Sequence, residues 1–269
     1  MRTYRTLVVM LARSSLREPV SLFFSIVFAP MLVIVLGLIF GNDPNPQFGG
    51  RGFVEATLPA YAALVVAVMG IMILPVNQLQ LRESGALTRM RATPLRPRTY
   101  VAADITVNVL TGMAGIVLAL LVGTVGFGVR LQGSPVLVLA AAALGLVAFL
   151  ALGYTLAAVY PSANAATGIG NGLMIVLMLT SGAFVPMSAL SPGVRRAVAL
   201  SPLRQMVLLV QGVWNGSGWS EVLAPLAVLV GMTVVFGALG ARLFRWDALT
   251  EPTTAPGRRG RGHRPPHRR

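Results

Sequence analysis

The sequence predicts an all-α integral membrane protein with six transmembrane helices, and three observations carry that prediction. The chain is 55% hydrophobic and only 11% charged, whereas soluble domains carry about a quarter charged residues. Its apolar residues gather into runs of about 20, the length a helix needs to cross the hydrocarbon core. Its basic residues are distributed unevenly between those runs, the signature that orients a membrane protein.

The first element is a surface helix. In residues 3–17, TYRTLVVMLARSSLR, helical spacing gathers Leu7, Met10, Leu11 and Ser14 on one face, with Arg5, Arg13 and Arg17 in reach of lipid phosphates. Pro19 turns the chain into the first span, 20–40. This run is too long for the apolar core of a signal peptide, and GNDPNPQFGG behind it has no small-x-small cleavage pattern, so a retained span is expected. The remaining spans are expected at 57–76, 103–127, 135–159, 165–185 and 222–244.

Between the last two spans, the apolar stretch QMVLLVQGVW is too short to cross and follows Ser201, Pro202 and Arg204. Residues 187–221 are therefore expected to enter the outer leaflet as one or two short helices and return, packed against protein or a water-filled cavity. From Glu251 onward the tail EPTTAPGRRGRGHRPPHRR has no periodic apolar face. It is expected to be disordered, and to attract anionic headgroups rather than nucleic acid. The domain organisation is a transmembrane unit over 1–250 and a basic tail over 251–269.

Six spans put both termini and the connections 77–102 and 160–164 on one side. All 22 basic residues are arginine; seventeen fall on that side and five on the other. The arginine-rich side is expected to be the cytoplasm.

The residue inventory excludes several chemistries. Without lysine the chain cannot form the G-x-x-x-x-G-K-[ST] phosphate loop, so it is not expected to hydrolyse ATP itself, and no cofactor is expected on it. Without cysteine there are no disulfides, thiolate metal sites or thiol nucleophiles. Both histidines, His263 and His267, lie in the tail, and H-E-x-x-H and G-x-S-x-G are absent. The acids lie at span ends or in loops. Asp104, one turn before Asn108, comes nearest to membrane depth and is expected to be solvated by headgroups. No catalytic or metal site is expected.

Milder polar groups remain within the spans. Asn171, Thr180 and Ser181 in span five are candidates for lining a transport path or for bonding a neighbouring helix. Two G-x-x-x-G patterns, Gly37 with Gly41 and Gly168 with Gly172, would suit a homodimer seam.

The connection RESGALTRMRATPLRPRTY, 82–100, holds five arginines and one glutamate. Leu81, Leu87 and Met90 share a face at helical spacing, with Arg82, Arg89 and Thr93 turned elsewhere, and Pro94 and Pro97 stop the helix. A helix of about three turns is expected, softened by Gly85. A plain connector has no need of apolar residues at 87 and 90, so the stretch reads as a docking element.

LRESGALTRMRATPLRPRTYVAAD at 81–104 is similar to the R-E-x-G-x-x-x-R-x-x-x-T-P-L loop in the membrane subunits of type-2 ABC exporters, particularly the antibiotic and daunorubicin-resistance-like permeases. Arg82, Glu83, Gly85, Arg89, Thr93, Pro94 and Leu95 fall on that pattern. SGAFVPMSALSPGVRRAVALSPLRQMV at 181–207 resembles the family's S-G-x-x-x-P…L-P…P-L segment, with Ser191 where leucine is usual. The resemblance implies a bacterial plasma-membrane permease that dimerises, works with two copies of a separate ATPase using ATP and magnesium, and exports drugs, antibiotics or lipid-like compounds. It also implies that 82–95 is the coupling helix, with Leu87 and Met90 among its contacts. Read from the residues alone, a secondary carrier or channel and a non-transporting scaffold stay open.

Overall fold

The computed structural model describes residues 2–46, 50–91, 96–181 and 191–243. Thr93, Pro94, most of the SGAFVPMSAL stretch and the basic tail lie outside the described residues. The chain is all-α: α1 (Arg2–Ser15), α2 (Pro19–Phe40), α3 (Phe53–Glu83), α4 (Ala86–Arg91), α5 (Pro97–Gly126), α6 (Pro135–Val159), α7 (Ala163–Thr180), α8 (Pro192–Ala199), α9 (Pro202–Trp214) and α10 (Trp219–Leu243). Helices α2, α3, α5, α6, α7 and α10 are long and apolar enough to cross a membrane.

The spans agree with the expected runs, but several outrun them. Span two occupies 53–83 rather than 57–76, and span three begins at Pro97 rather than 103. An apolar run marks the part of a helix in hydrocarbon, whereas the helix itself ends where the backbone is forced to stop. Here those stops are Gly85, with φ at 68°, and Pro97 in the first turn of α5. Much of the expected 77–102 loop is therefore helical.

Two spans widen just before a proline. Phe23–Val27 and Met69–Ile73 are π-helical turns preceding Pro30 and Pro75. A proline ring crowds the carbonyl four residues back and offers it no N–H, so the preceding turn loosens. Phe28 N–H accordingly donates to Phe23 O, and Leu74 N–H to Met69 O.

α3 is the centre of the bundle. Of its most apolar stretch 83% is buried, against 22% for α10. Within lipid, apolar side chains gain little by leaving the bilayer, so helices associate where small residues let backbones meet. A Cβ on Gly153 of α6 would overlap the Gly70 carbonyl of α3, and one on Gly70 would overlap the backbone at Phe149. On the other side, a Cβ on Gly115 of α5 would meet the Ser25 carbonyl of α2.

α1 packs against α5, where the Tyr4 and Thr106 hydroxyls lie 2.7 Å apart. Its protein face carries Leu7, Val8 and Leu11, while Val9, Met10 and Ser14 stay exposed beside Arg5, Arg13 and Arg17. This corrects the expected face. Apolar residues run most of the way round α1, so spacing alone could not separate the stripe that meets protein from the one left open.

The end holding α1, α4 and the start of α5 is the basic end. At the opposite end, Arg51 Nη1 donates to Asn215 Oδ1 at 2.9 Å, Gly133 N–H to Trp214 O at 2.8 Å, and Asn42 Nδ2 to Phe127 O at 3.0 Å. The first two bonds hold α9 there, and the third joins the ends of α2 and α5. The 13 residues of α9 give about 20 Å, short of the roughly 30 Å hydrocarbon core. A reporter fused after residue 216 is expected to report the extracytoplasmic side, and one after residue 250 the cytoplasmic side. The same side for both would overturn the six-span arrangement.

Candidate coupling segment and transport surface

The coupling candidates do not form one helix. Arg82 and Glu83 end α3, Ser84 and Gly85 break the chain, and Ala86–Arg91 make a separate short helix. Gly85 N–H closes the break on Arg82 O at 3.1 Å. A Cβ at Gly85 meets nothing within 4 Å, so the glycine is required by its positive φ rather than by close packing within the chain. The expected continuous face over Leu81, Leu87 and Met90 is thus divided between two helices. Leu87 is 2% exposed, Met90 is half-buried, and Arg89 is exposed. Arg89 Nη2 donates to Ser84 O at 3.3 Å, bracing the break.

Glu83 reaches into another span. Its Oε1 accepts from Ala163 N–H at 2.8 Å, in the first turn of α7. Ser162 caps the same helix, its hydroxyl accepting from Ala165 N–H at 3.1 Å. The two side chains satisfy amides left without intrahelical partners, and a carboxylate there also complements the helix dipole. Beneath this cap Leu79 packs with Tyr160, Ala163 and Ala166. The coupling candidates and the span bearing Asn171 are thereby fastened together.

One turn deeper lies a polar cluster that the sequence reading missed. Asp104 Oδ2 accepts from Gln78 Nε2 at 3.0 Å and from the Tyr154 hydroxyl, while the Tyr100 hydroxyl donates to Gln78 Oε1 at 3.3 Å. Asp104 therefore faces the bundle and ties spans two, three and four together instead of meeting headgroups as expected. Asn108 turns its amide back to the Asp104 backbone carbonyl at 2.9 Å. The available signal was a glutamine one turn before Arg82 and a tyrosine one turn before Asp104.

The span-five candidates separate. Asn171 is exposed on α7, and a Cβ at Gly168 or Gly172 would meet only open space. Ile169, Ile175, Val176 and Leu179 are exposed along the same helix. Thr180 instead lies 3.0 Å from Ser201 Oγ, and Ser181 is buried with its hydroxyl donating to Met178 O at 2.7 Å. Both bond within the protein.

The first glycine pair also has intrachain uses. A Cβ on Gly37 would overlap the Phe127 ring, and Gly41 ends α2 at φ 69° with its N–H on Gly37 O. Gly37 therefore lacks the open surface that the expected seam requires, because span three fills it, while Gly41 serves to end the helix.

The chain matches the family described as ABC-2 family transporter protein over residues 42–242, well over half its length. No curated protein matches it.

Proposed function

The chain belongs to the ABC-2 transporter family, membrane components that pair with an ABC ATPase, and from that premise we propose that it is the permease of a bacterial exporter for hydrophobic drugs, antibiotics or lipid-like compounds. Two copies form the path and two copies of the separate ATPase drive it with ATP and magnesium. Both termini are cytoplasmic.

The observation that carries this reading is the Glu83–Ala163 bond. The ATPase grips the segment holding Arg82, Gly85, Leu87, Arg89, Met90, Thr93 and Pro94, at the end where arginines concentrate. Motion of that segment reaches span two directly through α3, and span five through Glu83. The Gly85 break lets α4 tilt under load while Leu87 keeps it seated. Span five then moves at the surface where Gly168 and Gly172 allow a second copy to approach and Asn171 offers an amide to cargo.

The test is export from inverted membrane vesicles containing this permease and a co-expressed ABC ATPase subunit from the same genome. Transport should require both chains and stop when the ATPase's phosphate-loop lysine is replaced. ATP-independent, proton-gradient-driven transport would favour a secondary carrier. Asn171→Leu tests the path: it should change the relative export of different compounds while leaving membrane abundance intact, because the residue is exposed. An equal loss for every compound, tracking protein abundance, would assign Asn171 to folding.

A further inference from the structure

A groove of about 330 Å³ at the basic end lies between α5, α6 and α10, and the transport reading gives it no role. Val101, Ile105, Ala151 and Phe236 make its walls. The Tyr154 ring lines the back, and its hydroxyl is turned to Asp104, so the polar cluster leaves the groove surface apolar. Thr155 Oγ1 donates to Phe236 O at 3.1 Å, bonding α10 to α6 behind it. The groove opens sideways through the exposed Ala102, Gly237 and Ala241, the direction from which lipid approaches. Arg98, exposed in the first turn of α5, stands at the mouth.

We infer that this groove is a binding site for an anionic phospholipid of the leaflet at the basic end, with one acyl chain between α5 and α10 and the phosphate on Arg98. The two halves of the site select the two halves of such a molecule. Apolar walls inside the bilayer would leave a polar ligand's hydrogen-bonding groups unmet. A guanidinium at the membrane surface pairs with a phosphate through two parallel N–H donors, and basic pockets between spans are suited to acidic headgroups. Arg242, in the last turn of α10, follows the groove residue Ala241 and adds positive charge at that end of the helix. Gly237 keeps the groove open, since a Cβ there meets nothing within 4 Å.

That open space supplies the test, because the Cβ of Gly237→Leu meets no atom of the fold and the substitution adds its side chain at the mouth of the groove. The full-length permease is reconstituted in phosphatidylcholine vesicles containing phosphatidylglycerol with a photoactivatable acyl chain, and labelled peptides are mapped after illumination. Labelling should concentrate on 101–105 and 236–241, above the exposed α2 face at Val35, Leu38 and Ile39. Gly237→Leu should remove the concentrated label. Arg98→Gln should lower it about tenfold for phosphatidylglycerol, yet leave labelling by an equivalent phosphatidylcholine probe unchanged. Both variants should elute and melt as the parent does. Label spread evenly over α2 and the groove, or unchanged in Gly237→Leu, would make the lipid an ordinary annular one and overturn the inference. Equal losses with both probes in Arg98→Gln would overturn the headgroup assignment.

Discussion

Gly153→Val should eliminate monodisperse permease from detergent extracts, one of the largest stability effects expected of a single substitution in this chain. The new Cβ would be driven into the Gly70 carbonyl, and Gly70 in turn lies against the Phe149 backbone. Overpacking typically costs 1–3 kcal/mol when side chains can yield. Here the obstacle is backbone at the π-helical turn of the buried central span, so the cost should reach or exceed about 3 kcal/mol. A graded series checks the cause. Gly112→Ala meets only the Leu146 methyls and should cost about 1 kcal/mol, whereas Gly231→Ala enters open space and should be neutral or slightly stabilising. Elution profile and melting temperature in one detergent read all three. Gly153→Val behaving like Gly231→Ala would mean that spans two and four do not meet as described.

The sequence located the spans because lipid imposes a length and an apolar composition on each of them. Span four was legible to its ends, since Ser134–Pro135 opens the helix and Tyr160–Pro161 closes it. Span two was not, because Asn77, Gln78 and Gln80 are polar yet continue the same helix beyond the apolar run. What local pattern cannot hold is partnership. Gln78 and Tyr154 are 76 residues apart, and neither stretch announces the other. The same gap misplaced Asp104: a carboxylate near a span end looks solvated until the groups facing it from two other helices are known. Gly37 and Gly168 head the same G-x-x-x-G pattern, but one is filled by Phe127 and the other is open. The motif reports that close approach is possible, not which neighbour takes it.

The second large effect is on coupling, and it concerns Glu83. As the acidic residue of the proposed coupling segment, it has two candidate partners: the ATPase, or the amide of Ala163 that it already holds at 2.8 Å. The two roles give different results. Removing a helix cap costs about 0.5–2 kcal/mol, and 1.4 kcal/mol is a tenfold change in an equilibrium. Glu83→Ala should therefore leave an inserted protein that melts slightly earlier, while the fraction with span five fastened to the coupling segment falls roughly tenfold. Glu83→Gln keeps a carbonyl oxygen for the amide and loses only the charge that complements the helix N-terminus, about 0.3–1 kcal/mol at an exposed position. It should retain most of the coupling. Glu83→Arg loses the acceptor and places a cation against that terminus, so it should be the most impaired of the three. If Glu83 braces span five, the ATPase will co-purify with every variant, and the loss will appear in export and in stimulation of ATP hydrolysis by cargo, in the order glutamine, alanine, arginine. If Glu83 instead touches the ATPase, co-purification will fall with the charge and glutamine will be nearly as damaging as alanine. Normal export in Glu83→Arg would refute both roles and leave Leu87 and the Gly85 break to carry the coupling alone.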